Sequence, residues 1–135
     1  MKVTEQKIVE WFLRIAISIG FLSAVADRFG LWKAEISAWG NWDSFISYTH
    51  LLSPWAPSSI IGIVGGLATF LEVFFAVILL TNYKTSLFAK GAGFLLLTFG
   101  LSMALFVNVK APLDYSVFMG SASAFALGYM TKGGK

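Results

Sequence analysis

Arg14, Asp27, Arg28 and Glu72 are charged residues set inside or at the ends of stretches that are otherwise apolar. Ionisable groups in such places are costly, so they face an interior and mark either a pathway, a binding site or a structural pair. Two sets can be separated by depth. With a rise of ~1.5 Å per residue, Arg14 lies about 9 Å along its stretch from Ile8, and Glu72 about 12 Å back from Leu80. If the two stretches run in opposite directions, the opposite charges share a level, and a pair between Arg14 and Glu72 is expected. Glu10, one turn before Arg14, competes as a partner on the same helix face. The second set is Asp27, Arg28, Lys110 and Asp114, with Tyr115 and Ser116 beside the last. These fall at chain positions that place them together at one membrane surface, with Asp114 at a helix N-terminus. That rim is either a solvated cap or a polar mouth for a headgroup, a quinone ring or a partner subunit. His50 is the single histidine, read as a surface residue rather than a ligand. No catalytic residue is assigned.

Composition excludes other chemistries. Cysteine is absent, so thiolate metal sites, disulfides and cysteine redox steps are excluded within this chain. One histidine supports neither a bis-histidine haem nor a histidine-rich metal site. The net charge of +3 is small and makes no case for nucleic acid.

The elements that carry these residues are apolar. Hydrophobic residues are 57% of the 135 and charged residues 13%, with mean hydropathy +0.75. A soluble domain has about 25% charged residues, so part of this surface faces lipid. Four stretches approach the ~20 apolar residues that a spanning helix needs: about 8–29, 59–80, 87–107 and 114–130. Asn82-Tyr83-Lys84 and Asn108 to Pro112 break the later ones. The expected fold is all-α, an integral membrane four-helix bundle running up-down-up-down in one domain. Between its first two helices, residues 31–57 hold Trp32, Trp39, Trp42, Tyr48 and Trp55. Such rings favour the membrane interface, and a short interfacial helix is expected around residues 44–52.

Lysine and arginine set the orientation. With both termini cytoplasmic, Lys2, Lys7, Lys84, Lys90, Lys132 and Lys135 lie inside, against Arg28, Lys33 and Lys110 outside. Ala24-Val25-Ala26 has the A-x-A form of a signal-peptidase site, but Glu10 and Arg14 interrupt the apolar region and favour an uncleaved first helix. Small residues at four-residue steps offer packing seams: Ser58, Gly62 and Gly66; Ala89 and Gly93; Gly120, Ala124 and Gly128.

The chain resembles the DoxX-like family of small bacterial membrane proteins over nearly its whole length. The resemblance rests on Arg14, on the run from Gly20 to Trp32, on Thr69 with Glu72, and on the run from Lys110 to Phe118. It implies a four-helix fold in the bacterial cytoplasmic membrane and, from the family's namesake, a membrane subunit of a quinone-linked oxidoreductase. A quinone would be the cofactor, with no metal or haem held by this chain. Arg14 with Glu72, or Arg28 with Asp114 and Tyr115, would hydrogen-bond its carbonyls. The expected partners are the bilayer and a second subunit or further copies of the chain. The alternatives are a non-catalytic scaffold for a larger complex and a small oligomeric transporter.

Overall fold

The computed structural model describes residues 3–133. Lys2 and Lys135, counted above for the cytoplasmic side, lie outside them. Helices make up 74% of the described residues, which contain no strands. They are α1 (Glu5–Arg28), α2 (Trp42–Leu52), α3 (Ser58–Ile78), α4 (Thr85–Phe106), α5 (Lys110–Asp114) and α6 (Val117–Met130).

Local chemistry sets the boundaries. The Thr4 hydroxyl accepts from the Lys7 amide at 3.1 Å and starts α1 three residues before the expected Ile8. Gly30 ends it with φ +74°, a left-handed conformation that lets the Leu31 amide reach back to the Ala26 carbonyl. Asn41 caps α2, which begins two residues before the expected Ser44. The last apolar stretch departs from expectation. Pro112 lies inside α5, in its first turn, where the missing N–H costs nothing. Asp114 then closes α5 instead of opening the next helix. Ser116, at φ +57°, breaks the chain before α6 starts at Val117.

Side-chain contacts fix the directions. Arg14 meets Leu79 and Ser18 meets Ala76, so α1 and α3 are antiparallel. Ser86 donates to the Gly128 carbonyl and Ser121 to that of Gly93, so α4 and α6 are antiparallel too. Their interface is the most extensive in the molecule. A buried core of Ile17, Phe21, Phe75, Ala76, Leu79, Ala89, Ala92, Ala124 and Leu127 joins α1, α3, α4 and α6.

Burial is inverted relative to a water-soluble bundle. Phe12, Ile15, Ile19 and Leu22 of α1 and Ile63, Leu67, Phe70 and Val77 of α3 are exposed, while Arg14, Ser18, Thr69 and Glu72 are buried. The outward residues recur at three- and four-residue steps, making continuous apolar stripes suited to lipid. α1, α3 and α4 are long and apolar enough to cross a membrane. α6 has 14 residues, about 21 Å of helix.

The expected seams are half right. An added Cβ at Gly93 would lie 2.8 Å from the Phe125 ring, and one at Gly128 would lie 2.9 Å from Lys90 Cγ, so the α4–α6 seam is real. On α3, Gly62 and Gly66 meet nothing within 4 Å, and the close approach is at Gly65, against Phe45 and Ile46 of α2. Gly93→Ala should therefore overpack a rigid aromatic ring and destabilise the fold by ~1–3 kcal/mol. Gly62→Ala, facing open space, should be neutral or slightly stabilising through helix propensity. Unfolding in mild detergent compares the two; equal effects would remove the seam.

Candidate functional site

The pair expected between Arg14 and Glu72 does not form. Arg14 is fully buried and its guanidinium is spent locally. Nε and Nη2 donate to Glu10 Oε2 at 2.9 and 2.7 Å, and Nη1 donates to the carbonyls of Leu79 at 2.9 Å and Thr81 at 2.6 Å. Nη2 also reaches Asn82 Oδ1 at 3.3 Å. A cation is thereby fixed at the C-terminal end of α3, where the helix leaves carbonyls without partners. The competing partner Glu10 is the actual one, and Arg14 is structural.

Glu72 pairs instead with Arg28, Nη2 to Oε2 at 2.6 Å, with both side chains at least 96% buried. Arg28 Nη1 donates to Thr69 Oγ1 at 2.8 Å. The guanidinium lies 3.9 Å from the centroid of Phe45 and 5.4 Å from that of Trp39. Helix direction explains the exchange. Cα–Cβ bonds tilt toward each helix's own N-terminus. In antiparallel α1 and α3, Arg14 and Glu72 therefore lean apart, whereas Arg28 and Glu72 lean together.

The remaining rim residues separate. Asp27 turns into the loop, where its carboxylate accepts from the amides of Ala38 at 2.8 Å and Trp39 at 3.0 Å and from the Ser37 hydroxyl. It shapes the backbone that carries Trp39. Lys110 and Asp114 form an exposed 2.7 Å pair along α5, of a kind worth under about 1 kcal/mol. No ion pair or hydrogen bond among the described residues joins them to Asp27 or Arg28. The four charges are thus three separate devices. His50 is half-buried on α2 and is not a lining residue of either cavity described next.

Arg28 and Glu72 line a partly open cavity of about 820 Å³ between α1, α2, α3, α4 and the first half of α6. Its length along α1 runs from Leu13 to Arg28, about 22 Å of helix rise. The walls are mainly apolar or aromatic, including Phe21, Trp39, Phe45, Trp55, Leu96 and Phe99. Small residues Ala16, Gly20 and Ala24 leave the room along α1, and an added Cβ at Gly20 would touch nothing within 4 Å. Tyr48 and Tyr115 bring hydroxyls to the same wall. Burial, with Tyr115 beside it, holds the Tyr48 hydroxyl above its ordinary pKa and keeps it a neutral donor. A second recess of about 540 Å³ shares Gly20, Ala24, Ala38, Trp39 and Tyr115 with the first and opens beside Asp27 and Trp32.

Two atoms of the ion pair, Arg28 Nε and Glu72 Oε2, are buried without a hydrogen-bond partner. The 2.6 Å contact is thus a close ionic contact rather than a well-directed hydrogen bond. Buried polar atoms are normally satisfied, so the pair in this wall is incompletely satisfied, and both unmet atoms are covered by their own surroundings. Of the polar residues singled out from the sequence as site candidates, Arg28, Glu72, Tyr115 and Ser116 share this cavity, whereas Arg14, Asp27, Lys110 and Asp114 do not line it. Sequence reasoning missed Tyr48, Phe45 and Gly20. The aromatic cluster of residues 32–55 was the available signal for the first two.

Among the described residues, no group of three or more histidine, aspartate or glutamate side chains could hold a metal ion. No family model, curated protein or solved structure matches the chain.

Proposed function

We propose that this chain is a DoxX-like protein of the bacterial cytoplasmic membrane, a four-helix up-down-up-down bundle with cytoplasmic termini. In this reading it binds a lipophilic quinone as the membrane subunit of a quinone-linked oxidoreductase. The observation that carries the binding role is the elongated apolar cavity with the buried Arg28–Glu72 pair in its wall. Its ~820 Å³ falls in the 300–1,000 Å³ range of small-molecule sites, and so does its character, apolar walls with a few fixed polar groups. A quinone fits that chemistry. One carbonyl would accept from a tyrosine hydroxyl of this wall, with Trp39, Phe45 and Tyr48 available to the ring and Ala24, Gly20 and Ala16 to the isoprenoid tail. The quinone would supply the redox centre, while the chain's own residues bind and orient it.

The orientation rests on the lysines. Arg28 is consumed by its buried pair, leaving Lys33 and Lys110 on the outer side against Lys7, Lys84, Lys90 and Lys132 on the inner side.

The test is retention of quinone. Protein extracted gently from quinone-containing bacterial membranes should carry extractable quinone in near-stoichiometric amount. Gly20→Leu places a side chain in the cavity without a backbone clash and should lower retention by about tenfold or more, as a blocked cavity requires, with helix content unchanged. No quinone in the wild type, or equal retention in the variant, refutes the reading.

A further inference from the structure

The charge arrangement inside the cavity carries a statement about which amphiphile it accepts. Among the described residues that line it, only Arg28 and Glu72 carry formal charge. They face each other at 2.6 Å, so the wall presents a cation whose field is already cancelled. A lipid carboxylate, sulfonate or phosphate entering here would meet Glu72 as closely as Arg28, and would lose its hydration with no uncompensated cation to replace it. The guanidinium is moreover held by its neighbours. Nη1 serves Thr69, Nη2 serves Glu72, and Phe45 lies against it at 3.9 Å. Nε lies covered beside them without a partner, and Glu72 Oε2, in 2.6 Å contact with Nη2, is covered as well. A pair that cancels its own charge suits a neutral head bearing a carbonyl or hydroxyl.

We infer that the cavity selects an electrically neutral amphiphile, with a carbonyl or hydroxyl head on a long apolar tail, and excludes anionic lipids, and that Glu72 is the residue that sets this selectivity. The inference rests on the reading of the cavity as a ligand site. It adds that Glu72 discriminates by cancelling Arg28, so removing its charge inverts the preference. With Glu72→Gln, Arg28 becomes a buried cation lacking a counter-ion, and an anionic head restores the pair.

Two probes with the same chain separate the outcomes: hexadecanamide, neutral with a carbonyl and N–H donors, and hexadecanesulfonate, anionic at every working pH. Binding to purified full-length protein in nanodiscs of zwitterionic lipid is followed by the fluorescence of Trp39 and Trp55, which line the cavity. Wild type should prefer the amide by about tenfold or more, and Glu72→Gln should gain about tenfold for the sulfonate, as expected when a buried cation regains a partner. Equal or tighter sulfonate binding by wild type overturns the selectivity while leaving the cavity a ligand site. Binding of neither probe by wild type overturns both readings. Should Glu72→Gln fail to fold, the wild-type preference still decides, and a ratio of one or less refutes the inference.

Discussion

Arg14→Ala should cost roughly 3–5 kcal/mol of stability, the cost of breaking a buried ion pair by removing one partner. The side chain is fully buried and does several jobs at once. It neutralises Glu10, and it satisfies the Leu79 and Thr81 carbonyls at the end of α3. Alanine leaves the Leu79 carbonyl without its side-chain donor, and leaves Glu10 only the 3.5 Å contact with Lys7 and the Thr81 carbonyl only the 3.4 Å contact with Thr85 Oγ1. It also cuts the link from α1 to the α3–α4 turn. Lysine should rescue only in part, because one ammonium cannot reproduce the planar fork that serves Glu10 and both carbonyls. Arg14→Ala with Glu10→Gln should be less damaged than Arg14→Ala alone, since the stranded charge is gone. Equilibrium unfolding in a mixed-detergent titration measures all three. A loss under ~1 kcal/mol for Arg14→Ala would mean that water or lipid headgroups replace its bonds, contrary to its full burial.

The second large effect separates structure from binding at the Arg28–Glu72 pair. Glu72→Leu alone strands Arg28 as a buried cation and should destabilise by ~3–5 kcal/mol. Arg28→Met with Glu72→Leu removes both charges and keeps the volume. Replacement of a whole buried pair by apolar side chains is often neutral or stabilising by ~1–4 kcal/mol, so the double variant should recover most or all of the loss. Thr69 tolerates this, since its hydroxyl also donates to the Gly65 carbonyl at 2.8 Å. Ligand retention should not recover, because the only charged residues in the described cavity wall are gone. Stability and quinone content of the same preparations report the two properties independently. If the double variant is stable and still retains the ligand like wild type, the pair serves folding alone.

Much of the architecture was legible in the sequence because lipid imposes strong composition rules. Long apolar segments, the break at Asn82-Tyr83-Lys84 and the aromatic stretch ahead of Pro54 are local signals, and local chemistry realises them. The α4–α6 seam was legible for the same reason, since Ala89 and Gly93 on α4, and Gly120, Ala124 and Gly128 on α6, recur at four-residue steps. The α3 seam was not. Gly65 and Gly66 are adjacent and chemically identical, and only the position of α2 determines that Gly65 is the one approached. Pro112 and Asp114 misled because a proline reads as a boundary, yet a five-residue helix can hold it in its first turn.

The sequence by itself determined that Arg14 and Glu72 would be interior charges, since an apolar chain has few other places for them, whereas it set Arg28 at the outer rim and only the packing of α2 and α3 buries it. Tertiary structure decided the partners. Depth counted from assumed helix ends set Arg14 level with Glu72, whereas Arg14 in fact meets Leu79 and Thr81, which puts Glu72 about 10 Å further along α3. The tilt of side chains toward each helix's N-terminus then turns Arg14 back to Glu10 and brings Arg28 and Glu72 together across antiparallel helices. Depth is a one-dimensional quantity and can be read from a chain. Register and side-chain direction exist only once two helices are packed, and they placed the charge pair in the cavity wall.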